Sequence, residues 1–181
     1  MTVLADETVI VTVDRARIWP VFSDANLLAR VLPGCEQLVS AGPDTYRGVL
    51  ATKLQFLTIR ADVTATLSEM HPPDRLQLEL DGRPRGLAGG FRAIISIKLD
   101  EVPGGTRIGY RLELTTTGRL ASFGAPLLRD SFRRQVATLV ANLQRELSRP
   151  GGNGDPDESG AGADESGGGP DGSGRPAAGP G

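Results

Sequence analysis

Apolar and polar positions alternate with a period of two through most of the first 117 residues, then switch to a period of three to four. Over residues 7–13, Val9, Val11 and Val13 alternate with Thr8 and Thr12, with Ile10 on the second face, which predicts a strand. Asp14 can cap a short helix running to Phe22 that buries Ile18, Trp19 and Phe22, although Pro20 removes a backbone bond and keeps that helix short or bent. Asp24 caps a second short helix, Ala25–Val31, stopped by Pro33-Gly34. Five further alternating runs follow: Tyr46 to Phe56, Ile59 to Leu67, Leu76 to Leu80, Phe91 to Leu99 and Ile108 to Leu114. Their short links predict an antiparallel meander with one wet face.

After residue 117, Leu120, Phe123, Leu127, Leu128, Phe132, Val136, Leu139, Val140, Leu143 and Leu147 recur at helical spacing. They predict one amphipathic helix of about 25 residues, roughly 37 Å long. A strand, two short helices, a run of antiparallel strands and a long terminal helix give an α+β class, with a curved sheet around that helix.

Composition divides the chain. Residues 151–181 hold 12 Gly, 4 Pro, six acids and one base, Arg175. The remaining 150 residues carry 19 basic and 16 acidic side chains, a net charge of +3, and are about 45% hydrophobic, an ordinary globular value. One folded domain over residues 1–149 is expected, with residues 150–181 a disordered acidic tail too poor in apolar surface to offset its ordering entropy. One cysteine (Cys35) and one histidine (His71) make neither an internal disulfide nor a usual zinc site, so no metal is expected. The acid-bearing N-terminus does not read as a signal peptide, and no run approaches 18 apolar residues. A cytoplasmic protein is expected.

The inward strand faces are almost wholly apolar, with small residues (Gly48, Ala61, Ala65, Ala93) between large ones. A filled core and an apolar cavity under the helix both fit this pattern. Acid–base chemistry finds little support: Tyr110 is nearly the only polar group in inward phase, and His71 sits in a His-Pro-Pro turn. Cys35 stands beside Glu36, which disfavours a thiolate. The loop at residues 86–90 lacks the Lys-Ser/Thr of a phosphate loop and leads into a strand. Arg83, Arg85 and Arg92 around that loop, with Arg129, Arg133 and Arg134 on the helix, are candidates for docking on an acidic protein or anionic headgroups. The modest domain charge, acidic tail and lack of an aromatic platform point away from nucleic acid.

Several strings, in this order, resemble the G-subunit family of carbon monoxide dehydrogenase, within the START-like SRPBCC superfamily. They are Ile18-Trp19 through Leu32-Pro33-Gly34-Cys35-Glu36, Met70-His71-Pro72-Pro73, Gly89-Gly90-Phe91, and Gly118-Arg119-Leu120-Ala121-Ser122-Phe123-Gly124. The resemblance runs over residues 3–147 and contains no catalytic signature. It implies a helix-grip fold: about seven antiparallel strands around the C-terminal helix, with two short helices after the first strand. It also implies a non-catalytic accessory of a molybdenum-containing carbon monoxide dehydrogenase or related hydroxylase, helping its maturation or membrane recruitment. No resident cofactor is implied, but an apolar small molecule, a quinone or lipid, is the expected cargo of the cavity. By the same likeness and by inward phase, Leu32, Phe56, Phe91, Tyr110, Phe123 and Leu127 are the candidate wall residues. Two alternatives stay open: a polyketide cyclase or dehydratase of the same superfamily, and a docking factor with a filled core. One departure concerns peripheral contact with the inner face of the cell membrane. The chain ends Arg175-Pro176-Ala177-Ala178-Gly179-Pro180-Gly181, neither apolar nor basic amphipathic, and six tail acids oppose an anionic leaflet.

Overall fold

Strand β1 (Thr2–Val11) begins five residues before its alternation becomes legible. A register shift between Val3 and Ala5 leaves the consecutive residues Leu4 and Ala5 both buried, which breaks the period of two. The computed structural model describes residues 1–148; the tail expected at 150–181 lies outside the described residues. After β1 come helix α1 (Arg15–Ile18), a 3-10 turn (Trp19–Ser23) and helix α2 (Ala25–Val31). The single helix expected up to Phe22 is therefore split, with Pro20 in the first turn of the 3-10 segment, where its missing N–H costs nothing. Asp14 makes no side-chain cap, whereas Asp24 accepts from the amides of Asn26 and Leu27 at 2.9 and 3.2 Å.

Strands β2 (Cys35–Gly42), β3 (Thr45–Leu54), β4 (Leu57–His71), β5 (Arg75–Pro84), β6 (Phe91–Val102) and β7 (Gly105–Thr116) complete one antiparallel sheet. Its order is β1-β7-β6-β5-β4-β3-β2, so the meander closes only where β1 joins β7. A 3-10 turn (Gly118–Phe123) precedes helix α3 (Ala125–Leu147), 23 residues or roughly 34 Å at 1.5 Å per residue. Leu120 and Phe123, expected on the long helix, belong to that turn because Gly124, at φ 80° and ψ 155°, interrupts the helical backbone. Helix α3 packs against β1 at one edge and β3 near the other, so the sheet curves around it.

The apolar interior is continuous from end to end. One end joins Val11, Val13, Ile18, Val31, Leu99, Leu143 and Leu147; the other joins Leu54, Ile59 and Leu120, with Leu87, Phe91, Phe123 and Leu128 packed against them. Arg15 fixes the short helices to the sheet by pairing with Asp74 and with Glu101 at 3.2 Å.

Candidate functional site

Pairing register sets the inward side chains in rows across the sheet, because directly opposed residues share a face. One row reads Tyr46–Ala65–Leu80–Ala93–Leu114, and the next reads Leu67–Leu78–Ile95–Leu112. Large and small residues alternate along the first, with Ala65 and Ala93 buried between the large side chains. Toward the middle of the sheet Leu50, Leu78, Leu80, Ile95 and Ile97 remain only half-buried despite facing α3. Facing them, Leu128, Phe132, Val136 and Leu139 of α3 are half-buried as well.

Three polar side chains meet where β1 and β7 face the helix. Glu7 stands in phase with Val9 and Val11 and lies opposite Tyr110 in the ladder. The Tyr110 hydroxyl donates to Glu7 Oε2 at 2.9 Å, and Arg133 donates to Glu7 Oε1 through Nε at 2.9 Å and Nη2 at 2.6 Å. The Tyr110 ring meets Phe132 edge-on, centroids 6.1 Å apart. Burial, then the bond to the Glu7 carboxylate, pushes the Tyr110 phenol up to about 12. Arg133 and the Tyr110 hydroxyl, both donating to Glu7, hold that carboxyl below its usual value. A phenol held this way is a poor proton donor or acceptor near neutral pH. Gln135 Nε2 donates to Thr52 Oγ1 at 3.1 Å and Asn142 Nδ2 to the Val31 carbonyl at 3.1 Å, tying α3 to β3 and α2.

The six wall candidates do not form one wall. Phe91 and Phe123 come together at the Leu120 end, and Tyr110 is buried further along the interior. Leu127 lines a cleft of about 320 Å³ with Lys53, Gln55 and Arg134, between the end of β3 and the start of α3. Leu32 is half-buried at the end of α2. Phe56 is a correction: it is 91% exposed, at the tip of the β3–β4 hairpin. Leu54 pairs with Leu57, so the two-residue turn Gln55-Phe56 takes Phe56 off the strand and cancels its inward phase.

The six arginines separate as well. Arg83, Arg85 and Arg92 line a groove of about 1010 Å³ on the outer face of the sheet, together with Arg47, which the sequence pattern does not single out. Within it Arg85 pairs with Asp62 at 2.6 Å and Arg92 with Asp81 at 3.6 Å. On α3, Arg129 donates to the Leu4 carbonyl at 3.0 Å and Arg133 holds Glu7, so both serve the fold, while Arg134 faces the cleft. Glu7 is the site residue that sequence reasoning misses. The signal was present in its parity with Val9 and Val11, which puts an acid on the inward face. Cys35 is half-buried with its thiol pushed up by burial, and His71 is exposed.

Three of the strings that carry the family resemblance hold close contacts between backbones. Gly34, at φ 70°, lies so close to β3 that a Cβ would overlap the Ala51 carbonyl, and its own carbonyl accepts from the Ala51 amide at 2.8 Å. Gly89 and Gly118 bring their two segments into direct contact, and beside them the Arg119 amide reaches the Ala88 carbonyl at 2.9 Å.

Comparison with known proteins gives the same picture. A conserved protein from Geobacillus kaustophilus superposes with a TM-score of 0.71 at 19% identity, covering 78% of this chain and 92% of its own. The di-domain aromatase/cyclase BexL of the BE-7585A biosynthetic pathway (TM-score 0.56, 14% identity, 81% of this chain and 50% of its own) shares the fold. So does Ara h 8.0201 (TM-score 0.56, 16% identity, 80% and 97%). None of the curated proteins compared matches the chain. Residues 8–148 match the CoxG family, the G-subunit of carbon monoxide dehydrogenase, and with most of its length so matched the chain belongs to that family.

Proposed function

We propose that this chain is a non-catalytic accessory protein that holds an apolar ligand, a quinone or lipid, between the sheet and α3. Its partner is a molybdenum-containing carbon monoxide dehydrogenase or related hydroxylase, which it helps to mature or to reach the membrane. The observation that supports the ligand half is the residual exposure of Leu50, Leu78, Leu80, Ile95 and Ile97 on a face that a filled core would bury. The family match supports the partner half. A cyclase-like role gains nothing from Tyr110, whose hydroxyl is committed to Glu7.

Trp19 gives the test. It packs against the clusters on both sides of the short helices and meets Phe22 edge-on at 6.0 Å, close to the interior it would report on. Titrating a soluble quinone analogue should change Trp19 fluorescence saturably, and solvent extraction of the purified protein should release a quinone or lipid. No fluorescence change together with an empty extract overturns the ligand half; failure to co-purify with a molybdenum hydroxylase overturns the partner half.

A further inference from the structure

The end of the molecule holding the β3–β4 hairpin tip combines features that the fold and the ligand site leave without a role. Phe56 is 91% exposed and Leu57 44% exposed, beside a firm base in which Leu54, Ile59 and Leu120 are buried together. The β5–β6 loop, through Leu87, and the 3-10 turn, through Leu120 and Phe123, pack into that base, so three connections meet at this end. Across residues 53–58, 86–91 and 118–128 there is no acidic residue, while Lys53, Arg119 and Arg134 supply positive charge. Among the described residues none of these three is in an ion pair. An apolar wedge whose connections carry no acid, flanked by three cations and with Asp130 as the nearest acid along α3, fits an anionic bilayer: the ring enters the acyl boundary and the cations remain at headgroup level.

We propose that this end is a lipid-contact surface, with Phe56 and Leu57 as the inserting tip and Lys53, Arg119 and Arg134 as its headgroup contacts. The cleft between Lys53, Gln55, Leu127 and Arg134 opens beside the tip, so an apolar ligand would enter or leave on the membrane side. That entry route rests on the proposed ligand; the lipid contact itself does not. The last described residue lies at the opposite end of the molecule. Helix α3 starts at this end, with Leu128, and finishes at the other, with Leu147, which puts Ser148 roughly 34 Å away by the rise of a 23-residue helix.

The test is co-sedimentation of the full chain with vesicles of phosphatidylcholine containing phosphatidylglycerol, and of phosphatidylcholine alone. The full chain should partition onto the anionic vesicles, less so as salt is raised. Phe56→Ser should lower partitioning by about tenfold or more, the loss expected when one buried aromatic is removed. Phe56→Trp should retain binding, and in a Trp19→Phe background its emission should shift to the blue on vesicle addition. Lys53→Glu with Arg134→Glu should abolish the preference for anionic vesicles. Phe56 is nearly free of protein contacts, so thermal unfolding should be unaltered in Phe56→Ser. Absence of vesicle binding by the full chain, or equal binding by Phe56→Ser, overturns the proposal. So does a Phe56→Ser chain that loses binding to a molybdenum hydroxylase while keeping its vesicle binding, which would make the tip a protein interface. Quinone titration by Trp19 fluorescence in Phe56→Ser reads the ligand site separately.

Discussion

Tyr110 on β7 and Glu7 on β1 stand opposite each other in the ladder, and the phenol donates to the carboxylate at 2.9 Å beneath α3. Arg133 closes the set from the helix. An inward acid on an otherwise apolar face is thus satisfied by a phenol and a guanidinium, and in being satisfied it fixes α3 to the β1 edge of the sheet.

The first consequence is alkaline sensitivity. The folded Tyr110 phenol sits at about 12, above the ordinary 10, so the fold favours its neutral form. Stability from this group is complete below pH 10 and declines as pH rises from 10 towards about 12, because the unfolded chain releases the proton first. Denaturant unfolding measured across that interval should show the decline in the native chain and a shallower one in Tyr110→Phe. At neutral pH the same substitution should cost about 1 kcal/mol, the net worth of one hydrogen bond. Parallel pH profiles would show that the phenol is not coupled to folding.

The second is acid sensitivity of the same contact. Glu7 is held below its ordinary 4.5 by Arg133 and Tyr110, so its contribution is present above 4.5 and is lost as pH falls through the lower folded value. Glu7→Gln should flatten the acid limb of the stability profile. At neutral pH it should cost about 1 kcal/mol, since an ion pair that is partly solvated gives little more. Arg133→Gln should act in the same direction, and the double variant should lose less than the two single variants together.

The third concerns the glycines of the family strings. Gly34→Ala adds a Cβ that overlaps the Ala51 carbonyl while φ stays at 70°, so both space and backbone oppose it. Gly118→Ala meets the Ala88 carbonyl at φ 65°. Each should destabilise by about 2 kcal/mol or more, the sum of left-handed strain and displaced backbone. Gly104→Ala, also at positive φ but with open space around its Cβ, should cost only the conformational part, about 1 kcal/mol. Thermal unfolding of the three variants ranks them, and equal losses would show that the close contacts contribute nothing.

Much of this arrangement is written in the alternation, and what is not has identifiable causes. Strands β3 to β7 and α3 carry clean periods because one face of each turns to the interior and the other to solvent. Strand β2 is an edge strand whose residues are mostly exposed, so Cys35 to Gly42 shows no period to read. The start of β1 is hidden by its bulge. Parity misplaces Phe56 because it continues that of β3, while the hairpin turns on Gln55 at φ 56° without the Asn-Gly or Asp-Gly signal that marks such turns. The arginine groups mix because phase along α3 does not tell which cation will meet an acid on β1.

The fourth prediction separates a hollow interior from a filled one. Leu80 and Ile95 sit mid-sheet, half-buried and facing α3, with Ala93 beside Leu80 in its row. If the space under the helix admits a ligand, a larger side chain can occupy it without displacing neighbours. Ile95→Phe and Ala93→Val should then unfold within about 1 kcal/mol of the native chain, while uptake of an apolar fluorescent dye or a quinone analogue falls severalfold. A filled core answers differently: overpacking there costs about 1–3 kcal/mol, and there is no dye uptake to lose. Ala93 is the sharper probe, being only 4% exposed between two large half-buried neighbours, so a tolerated Ala93→Val would mean that Leu80 and Leu114 have room to move aside. Destabilisation by both substitutions with dye uptake absent throughout would exclude an apolar ligand from this interior.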